Sequence, residues 1–305
     1  MMKLVHSADR DPAALQAAIA GMVGEVSPER LRSYVESLAF PRHYFAQNRA
    51  NRRARDLLLK LARKFGYSPV LQGEYDNIVM TSPAGGSGPL LLMGAHYDSM
   101  PETPGADDNA SALALCLECA RLIARHRVED VMIVFFNREE DGLIGSREFV
   151  AHLGGHPAWR IGEAHIFEMV GYRDLSPGSQ KLPAGLTVMA PDAGDFLALL
   201  ANGGSNAIAE DLLALAARYI PQCPVLALKM YFGLERAIGD LNRSDHAPFW
   251  RAGIPAIMWT DTSEFRNPYY HQPSDTPETL DYGFMADVTR LALARAVSFG
   301  RKALP

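Results

Sequence analysis

One stretch decides the fold class of this chain, the uninterrupted apolar run Leu90-Leu91-Leu92-Met93-Gly94-Ala95. A strand that is apolar at every position is typical of a parallel sheet whose two faces are both covered. The run Val131–Phe136 has the same character. Further strands are predicted at Asn77–Thr81, Ala164–Glu168, Leu186–Ala190, Val225–Leu228 and Ala256–Trp259.

Helical patterns alternate with these strands, near residues 109–126, 143–153, 194–201, 206–219 and 284–302. Alternation of this kind predicts an α/β fold, a three-layer sandwich whose central, mainly parallel mixed sheet is flanked by helices. Ligands of such sheets bind beyond the carboxyl ends of the strands. Functional residues are therefore expected where strands end.

The first part of the chain has a different character. Residues 11–66 are predicted to be helical, because Gln47–Phe65 places apolar residues at helical spacing opposite a basic, solvated face. The Gly-, Ser- and Pro-rich patch Pro83–Pro89 predicts a hairpin-like turn between strands. The chain is thus expected to form a single domain, 1–305, with residues 1–70 as a mainly helical N-terminal segment.

The composition excludes several classes of protein. Hydrophobic residues at 48% and charged residues at 21% exclude a disordered chain. A net charge of -5, from 30 basic and 35 acidic residues, gives no reason to expect a nucleic acid partner. The 3 cysteines cannot build a disulfide framework, and no apolar run is long enough to predict a membrane span. Because no apolar signal segment follows Met1, a cytoplasmic location is expected.

Ionisable residues follow the predicted strands. His96 and Asp98 come directly after the first apolar run. Residues two apart in an extended chain face the same way, so Asp98 can accept a hydrogen bond from His96, as carboxylates do beside metal-bound histidines. Asp107 and Asp108 stand at the start of a predicted helix. One acid is enough for capping there, and the other is free to bind a metal.

Three more features extend this pattern. Glu139 and Glu140 follow the strand Val131–Phe136, and adjacent acids repel one another unless a cation lies nearby. Glu168 ends the next predicted strand, and His271 lies in a late, turn-rich loop. Each residue alone is more often structural. Together, two histidines and several carboxylates at successive strand ends suit zinc or a similar divalent ion.

The motifs that carry these residues resemble those of the M28 zinc aminopeptidases, a group to which the glutaminyl cyclases are related in fold. The resemblance extends from about residue 30 to about residue 285. It rests on motifs in the family's order: His96-Tyr97-Asp98-Ser99, Gly105-Ala106-Asp107-Asp108-Asn109-Ala110-Ser111, Glu139-Glu140-Asp141-Gly142-Leu143-Ile144-Gly145-Ser146, Glu168-Met169-Val170-Gly171-Tyr172, Ser244-Asp245-His246, and Tyr270-His271 through Asp275-Thr276-Pro277-Glu278.

The resemblance implies a zinc-exopeptidase-like fold and an aminopeptidase that acts on peptides with two zinc ions. Asp108 is implied as the ligand that bridges both ions. One ion would also bind His96 and Glu168, and the other Glu140 and His271. The family often has Asp where this chain has Glu168, so this ligand has a longer reach here.

A mechanism is implied with these assignments. Two zinc ions can polarise the scissile carbonyl and lower the pKa of a bridging water. Glu139 would accept the proton of that water and pass it to the leaving amine. Asp98 would orient His96. The free α-amine of the substrate would complete the coordination of one ion, which favours N-terminal residues.

The motif Ser244-Asp245-His246 invites a serine-hydrolase interpretation. Catalytic triads are assembled from residues distant in sequence, and no Gly-x-Ser-x-Gly elbow is present, so this interpretation fails. By resemblance to the cyclases, Asp245 and His246 are expected to line the substrate pocket, and Tyr270 is expected there as well. Arg266 is expected to meet a substrate carboxylate.

Two other functions stay open. A glutaminyl cyclase would use the same fold and a single zinc ion to activate a γ-carboxamide for attack by the substrate's own amine. A binding protein that has lost its metal site is the second alternative, and the intact set of ligands argues against it. The complete set favours the two-zinc peptidase. The sequence does not indicate the oligomeric state.

Overall fold

The computed structural model of the protein describes residues 1–10, 16–186 and 188–301. Its strands are β1 Met2–His6, β2 Val70–Gln72, β3 Asn77–Thr81, β4 Leu90–His96, β5 Val131–Phe136, β6 Ile161–Phe167, β7 Leu197–Ala201, β8 Val225–Met230 and β9 Ala256–Thr260. Its helices are α1 Ala17–Val23, α2 Pro28–Leu38, α3 Asn48–Lys64, α4 Ala112–His126, α5 Ile144–His152, α6 Asn206–Tyr219, α7 His246–Arg251 and α8 Tyr282–Arg301.

The strands form one mixed sheet in the order β1-β8-β7-β9-β6-β4-β5-β3-β2. The four middle strands β9, β6, β4 and β5 run parallel. Antiparallel pairs flank them, with β7 beside β9 and β3 beside β5. The predicted α/β sandwich with a central mixed sheet is confirmed. Its parallel pairs are the three at the centre and the pair of β7 with β8.

Helices cover the two faces of the sheet unequally. Helices α1, α2, α3, α4, α6 and α8 share one hydrophobic core with the first face. On the second face, Phe149 of α5 and Phe249 of α7 pack against Phe136 of β5, with ring centroids 5.7 Å and 6.3 Å from that of Phe136. Residues 180–186 and 188–190 lie over the rest of this face, beside β1, β7 and β8.

Two predicted elements are wrong. Residues 194–201, predicted as a helix, contain the strand β7, and the described part of 186–190, predicted as a strand, is irregular (residue 187 lies outside the described residues). Leu and Ala favour helices, and a short apolar run does not reveal its period. Pairing with β8 and β9 stabilises residues 197–201 as a strand and not as a helix.

One connection and the N-terminal segment also differ from the prediction. Strand β5 lies between β3 and β4, so Pro83–Pro89 crosses over β5 and forms no hairpin. Residues 1–70 hold α1, α2 and α3 as expected, but also β1, which pairs with the distant β8. Residues 11–15 and 302, part of predicted helices, lie outside the described residues. Within the described ranges, no helix is long and apolar enough to cross a lipid bilayer.

Candidate metal centre

The parallel strands bring the implied ligands to one edge of the sheet. Strand β4 ends at His96, β5 leads to Glu140, and β6 leads to Glu168. Because β5, β4 and β6 are parallel neighbours, their carboxyl ends meet. Asp108 and His271 reach the same place from loops. The structure therefore assembles all the implied ligands in one cluster.

Asp108 lies at the middle of this cluster. Its Oδ1 lies 3.3 Å from His96 Nε2, and its Oδ2 lies 3.1 Å from His271 Nε2. Glu168 Oε1 lies 3.3 Å from His96 Nε2, and Glu140 Oε2 lies 3.5 Å from His271 Nε2. Each carboxylate oxygen of Asp108 thus lies beside a different histidine, and each histidine also lies beside a different glutamate.

These separations fit zinc. Two ligands bound at about 2.0–2.1 Å to one tetrahedral zinc ion lie about 3.3 Å apart. Among the described residues, Asp108 Oδ1 and Glu140 Oε1 are buried oxygens without a hydrogen-bond partner, which is costly unless a cation or donor meets them. A mixed set of imidazoles and carboxylates is the donor chemistry that zinc accepts.

Acid side chains are crowded at this centre. Burial raises the pKa of Glu139, and so does the charge of Glu168, against the opposite effect of His96. Burial also raises the pKa of Glu140, as does Asp108. For Asp108, burial acts in the same direction, but the two neighbouring histidines, His271 and His96, outweigh it and its pKa lies below the usual value. A bound cation would relieve this repulsion.

Asp98 holds three parts of the centre together. Its Oδ1 lies 3.4 Å from His96 Nδ1, on the side of the ring away from the cluster. The same oxygen accepts a hydrogen bond from Glu139 N at 3.1 Å, and Oδ2 accepts one from Glu140 N at 3.2 Å. The side chain of Glu139 offers an oxygen within 4.8 Å of ligand atoms of His96 and Glu168. Asp98 therefore faces His96 as expected and also fixes the backbone of the two glutamates.

Asp275 fixes the backbone of Asp108, a role that the sequence did not reveal. Its Oδ1 accepts a hydrogen bond from Asp107 N at 2.8 Å, and its Oδ2 accepts one from Asp108 N at 3.2 Å. Burial raises the pKa of Asp275 to about 7, and the charge of Asp107 acts in the same direction. Asp275 lies in the last motif of the family resemblance, and its place in that motif was the sequence signal for this supporting role.

The segment around Asp108 is also tied to the end of β6. Asn109 donates to Phe167 O at 3.0 Å and accepts from Met169 N at 3.0 Å. Asp107 accepts from Gly171 N at 2.9 Å. These bonds bracket Glu168 and set its backbone relative to Asp108. Asp107 thus has a structural role.

Arg42 anchors the loop between His96 and Asp108 from the N-terminal segment. Its guanidinium is completely buried and donates to Tyr97 O at 2.9 Å, Pro104 O at 2.6 Å and Gly105 O at 3.0 Å. Burial lowers its pKa, and the nearby carboxylates oppose that shift. An arginine whose side chain binds only backbone carbonyls leaves no recognisable pattern in a sequence, so the sequence analysis did not identify Arg42.

The motif Ser244-Asp245-His246 is placed differently from the expectation. Ser244 Oγ donates to Glu168 Oε2 at 2.6 Å, so it orients that ligand. Asp245 and His246 are fully buried and are not among the residues that line the cavity. Burial raises the pKa of Asp245 to about 7 and lowers that of His246 to about 4. Their expected place in the pocket wall is therefore corrected, since they lie behind it.

Arg266 is likewise not at the pocket wall. It is 5% exposed, donates to Gln180 Oε1 at 3.0 Å and lies over the ring of Phe196 at 4.5 Å. A guanidinium enclosed in this way does not face a substrate, so its expected role is corrected. Tyr270 does line the cavity, where its ring stacks on His271 with centroids 3.7 Å apart.

The family of the chain emerges from comparison with known proteins. The model described as Peptidase family M28 matches residues 77–296. The uncharacterized protein YfbL of Escherichia coli is 37% identical over 234 residues, which are 72% of this chain and 70% of YfbL.

Solved structures agree with this match. BSAP, a zinc aminopeptidase from Bacillus subtilis, has a TM-score of 0.54 and 28% identity over 73% of this chain and 49% of BSAP, so the chain spans about half of that protein. LapA aminopeptidase of Legionella pneumophila has a TM-score of 0.74 and 21% identity over 95% of this chain and 75% of LapA. Glutaminyl cyclase of Macrostomum lignano has a TM-score of 0.65 and 17% identity over 95% of this chain and 94% of the cyclase. The last two likenesses show the fold alone.

Proposed function

Because this chain belongs to peptidase family M28, we propose that it is an aminopeptidase that releases N-terminal residues from peptides with two zinc ions. The family and its zinc aminopeptidases support a metal-dependent aminopeptidase. The observation that carries the count of two ions is the arrangement of Asp108, whose two carboxylate oxygens face different histidines at 3.3 Å and 3.1 Å.

The residues divide into two sets of ligands that share Asp108. His96 and Glu168 belong to one set, and Glu140 and His271 to the other. When bound, zinc supplies Lewis acidity, which polarises the scissile carbonyl and lowers the pKa of water.

Glu139 is the proposed general base. It lines the cavity beside both sets of ligands, and the hydrogen bond from its backbone N–H to Asp98 fixes its position. From there its carboxylate can accept a proton from the attacking water and return it to the leaving amine.

Glutaminyl cyclization is the alternative chemistry on this fold. This reaction needs one metal ion and no attacking water, so the second set of ligands would bind no ion. Glu140 Oε1 is buried without a hydrogen-bond partner in the described structure, and this favours a second ion there.

Metal analysis combined with a substrate panel tests the proposal. We expect two zinc ions per chain and release of the amino acid from aminoacyl-p-nitroanilides. We also expect loss of activity after dialysis against a chelator and recovery on addition of zinc. One zinc ion per chain would contradict the two-ion site. Ammonia release from N-terminal glutaminyl peptides without hydrolysis would establish the cyclase instead.

The expected substrate is a peptide, and neither nucleic acid nor a membrane is expected as a partner. A cytoplasmic location stays a prediction from the sequence, and separation of cell fractions with an antibody would test it.

A further inference from the structure

The metal centre occupies one end of a larger cavity whose floor is the sheet. Leu4, Leu228, Leu200 and Met258 are paired across β1, β8, β7 and β9, so they form a straight row. All four line the cavity. A parallel row contains Leu226, Ala198 and Thr260, which are paired in the same way and also line it. Side chains in paired positions project from the same face of a sheet.

The rows lead toward the metal centre. Strand β9 is the neighbour of β6, and Glu168 N donates to Trp259 O at 2.9 Å, directly beside Thr260. Neighbouring strands lie about 4.8 Å apart, so the floor from β9 to β1 extends about 14 Å. It therefore forms a channel that begins at Glu168 and ends at the edge of the sheet.

The cover of the channel is also apolar. Leu182, Pro183, Leu186 and Val188 line it from above, and Phe196 lines it beside the first residue of β7. Outside the metal centre, the charged residues of the cavity lining are Arg147, Lys181, Asp240, Arg243 and Glu264, and none of them belongs to the two rows of the floor. The whole cavity measures about 480 Å³. For scale, an apolar cavity of about 150 Å³ holds a benzene molecule.

An apolar channel of this kind selects what can enter it. A peptide backbone would lose its hydrogen bonds with water there, at a cost of roughly 1–3 kcal/mol for each unsatisfied group. The peptide must therefore leave the metal centre toward solvent. The side chain of the first residue of an aminopeptidase substrate starts at the metal centre, and it can point into the channel without this cost.

We propose that the channel is a subsite for an N-terminal apolar side chain that extends beyond the length of leucine. The proposal rests on the aminopeptidase function proposed above. Its substrates are peptides or amides whose first residue carries a long unbranched or large aromatic group.

A series of aminoacyl-p-nitroanilides that differ in side-chain length tests the proposal. The zinc-loaded protein is assayed with alanyl, norvalyl, norleucyl, 2-aminooctanoyl and 2-aminodecanoyl substrates. Each methylene that enters an apolar site contributes about 0.8 kcal/mol, or about fourfold in kcat/KM. We expect kcat/KM to rise from the alanyl to at least the 2-aminooctanoyl substrate. A maximum at norleucyl or shorter would overturn the channel and leave the aminopeptidase function intact.

A variant that blocks the channel makes the test specific. Ala198 lies in the middle of the second row, so Ala198→Phe should close the channel about one strand beyond Thr260. The 2-aminooctanoyl substrate has two methylenes more than the norleucyl substrate, so its kcat/KM should be about 16-fold higher in the wild type. We expect the variant to lower this ratio of kcat/KM to about one and to keep alanyl hydrolysis, which also reports that it is folded.

Leu71→Phe is the matched control. Leu71 is 46% exposed on β2, at the opposite edge of the sheet, and this variant should keep the wild-type ratio. An unchanged ratio in Ala198→Phe would overturn the proposal. If no aminoacyl substrate is hydrolysed by the zinc-loaded wild type, the aminopeptidase function fails, and the channel proposal fails with it. The length series needs no variant, so the proposal can be overturned even if Ala198→Phe does not fold.

Discussion

The two ends of the cavity are built in different ways. At the metal end, Asp98 and Asp275 each accept two backbone hydrogen bonds, and these bonds fix Glu139, Glu140 and Asp108 in place. At the other end, the described floor and cover are mainly apolar side chains, and an irregular segment provides the cover. The metal end is therefore held by directional hydrogen bonds, and the apolar end is formed by nondirectional van der Waals contacts.

This difference separates chemistry from selectivity. Catalysis requires groups held within a fraction of an ångström, which directional hydrogen bonds can achieve. Apolar contact scales with buried area and tolerates different shapes. Changes at the metal end should therefore affect all substrates equally, whereas changes in the channel should affect substrates according to their side chains.

Glu139→Gln should have the largest effect. The amide keeps the shape of the side chain but cannot accept a proton as a base, and general acid–base catalysis contributes about 10²–10⁴-fold. We expect kcat to fall by this factor for alanyl and 2-aminooctanoyl substrates alike, with an unchanged zinc content. Steady-state kinetics and metal analysis measure both. Loss of activity on the long substrate alone would show that Glu139 acts in selectivity and not in the chemistry.

Asp275→Ala should have an intermediate effect. It removes the acceptors of the N–H groups of Asp107 and Asp108, and loss of such supporting contacts typically costs 10–100-fold in metal affinity. We expect the Kd for zinc, measured by competition with a chelator, to rise by about this factor. Asp275→Asn keeps one acceptor oxygen and should lose less.

A matched control for Asp275 lies on α8. Asp287 is 9% exposed and accepts a hydrogen bond from Gln222 Nε2 at 2.7 Å, remote from the centre. Asp287→Ala should leave the zinc affinity unchanged. An equal loss of affinity in both variants would indicate general destabilisation and would contradict the positioning role of Asp275.

The four central strands, β3 and β8 could be predicted from the sequence, and β1, β2 and β7 could not. Strands β3 and β5 have the predicted bounds, because an apolar run that ends in polar residues marks a buried strand by itself. Strand β7 was mistaken for a helix, and β1 was not predicted. Strand β1 pairs with β8, which is distant from it in the sequence. Strand β7 also pairs with β8, and its short run of Leu and Ala carries no clear period.

His96, Glu140 and Glu168 could be predicted as neighbours because they end or follow parallel strands, which end at one edge of the sheet, whereas Asp108 and His271 reach that edge from loops. Supporting residues were harder to find. Arg42 binds carbonyls of the loop after β4, a contact that depends on how the N-terminal segment packs on the domain. Burial was also invisible in the sequence. Arg266 and His246 have the chemistry of a binding site, but the fold encloses both.

Leu186→Ala should have the smallest effect, and it examines the apolar end alone. Leu186 lies in the cover of the channel, is only partly buried and packs against the second face of the sheet. Its truncation removes contacts equivalent to one or two methylenes of substrate, so kcat/KM for the 2-aminooctanoyl substrate should fall about 4- to 16-fold. The alanyl substrate does not reach the cover, so its kinetics should not change.

Leu175→Ala, at a position 64% exposed and outside the cavity lining, is the matched control. If both substrates lose activity equally in Leu186→Ala, the cover supports the metal end as well, and the separation between the two ends is wrong.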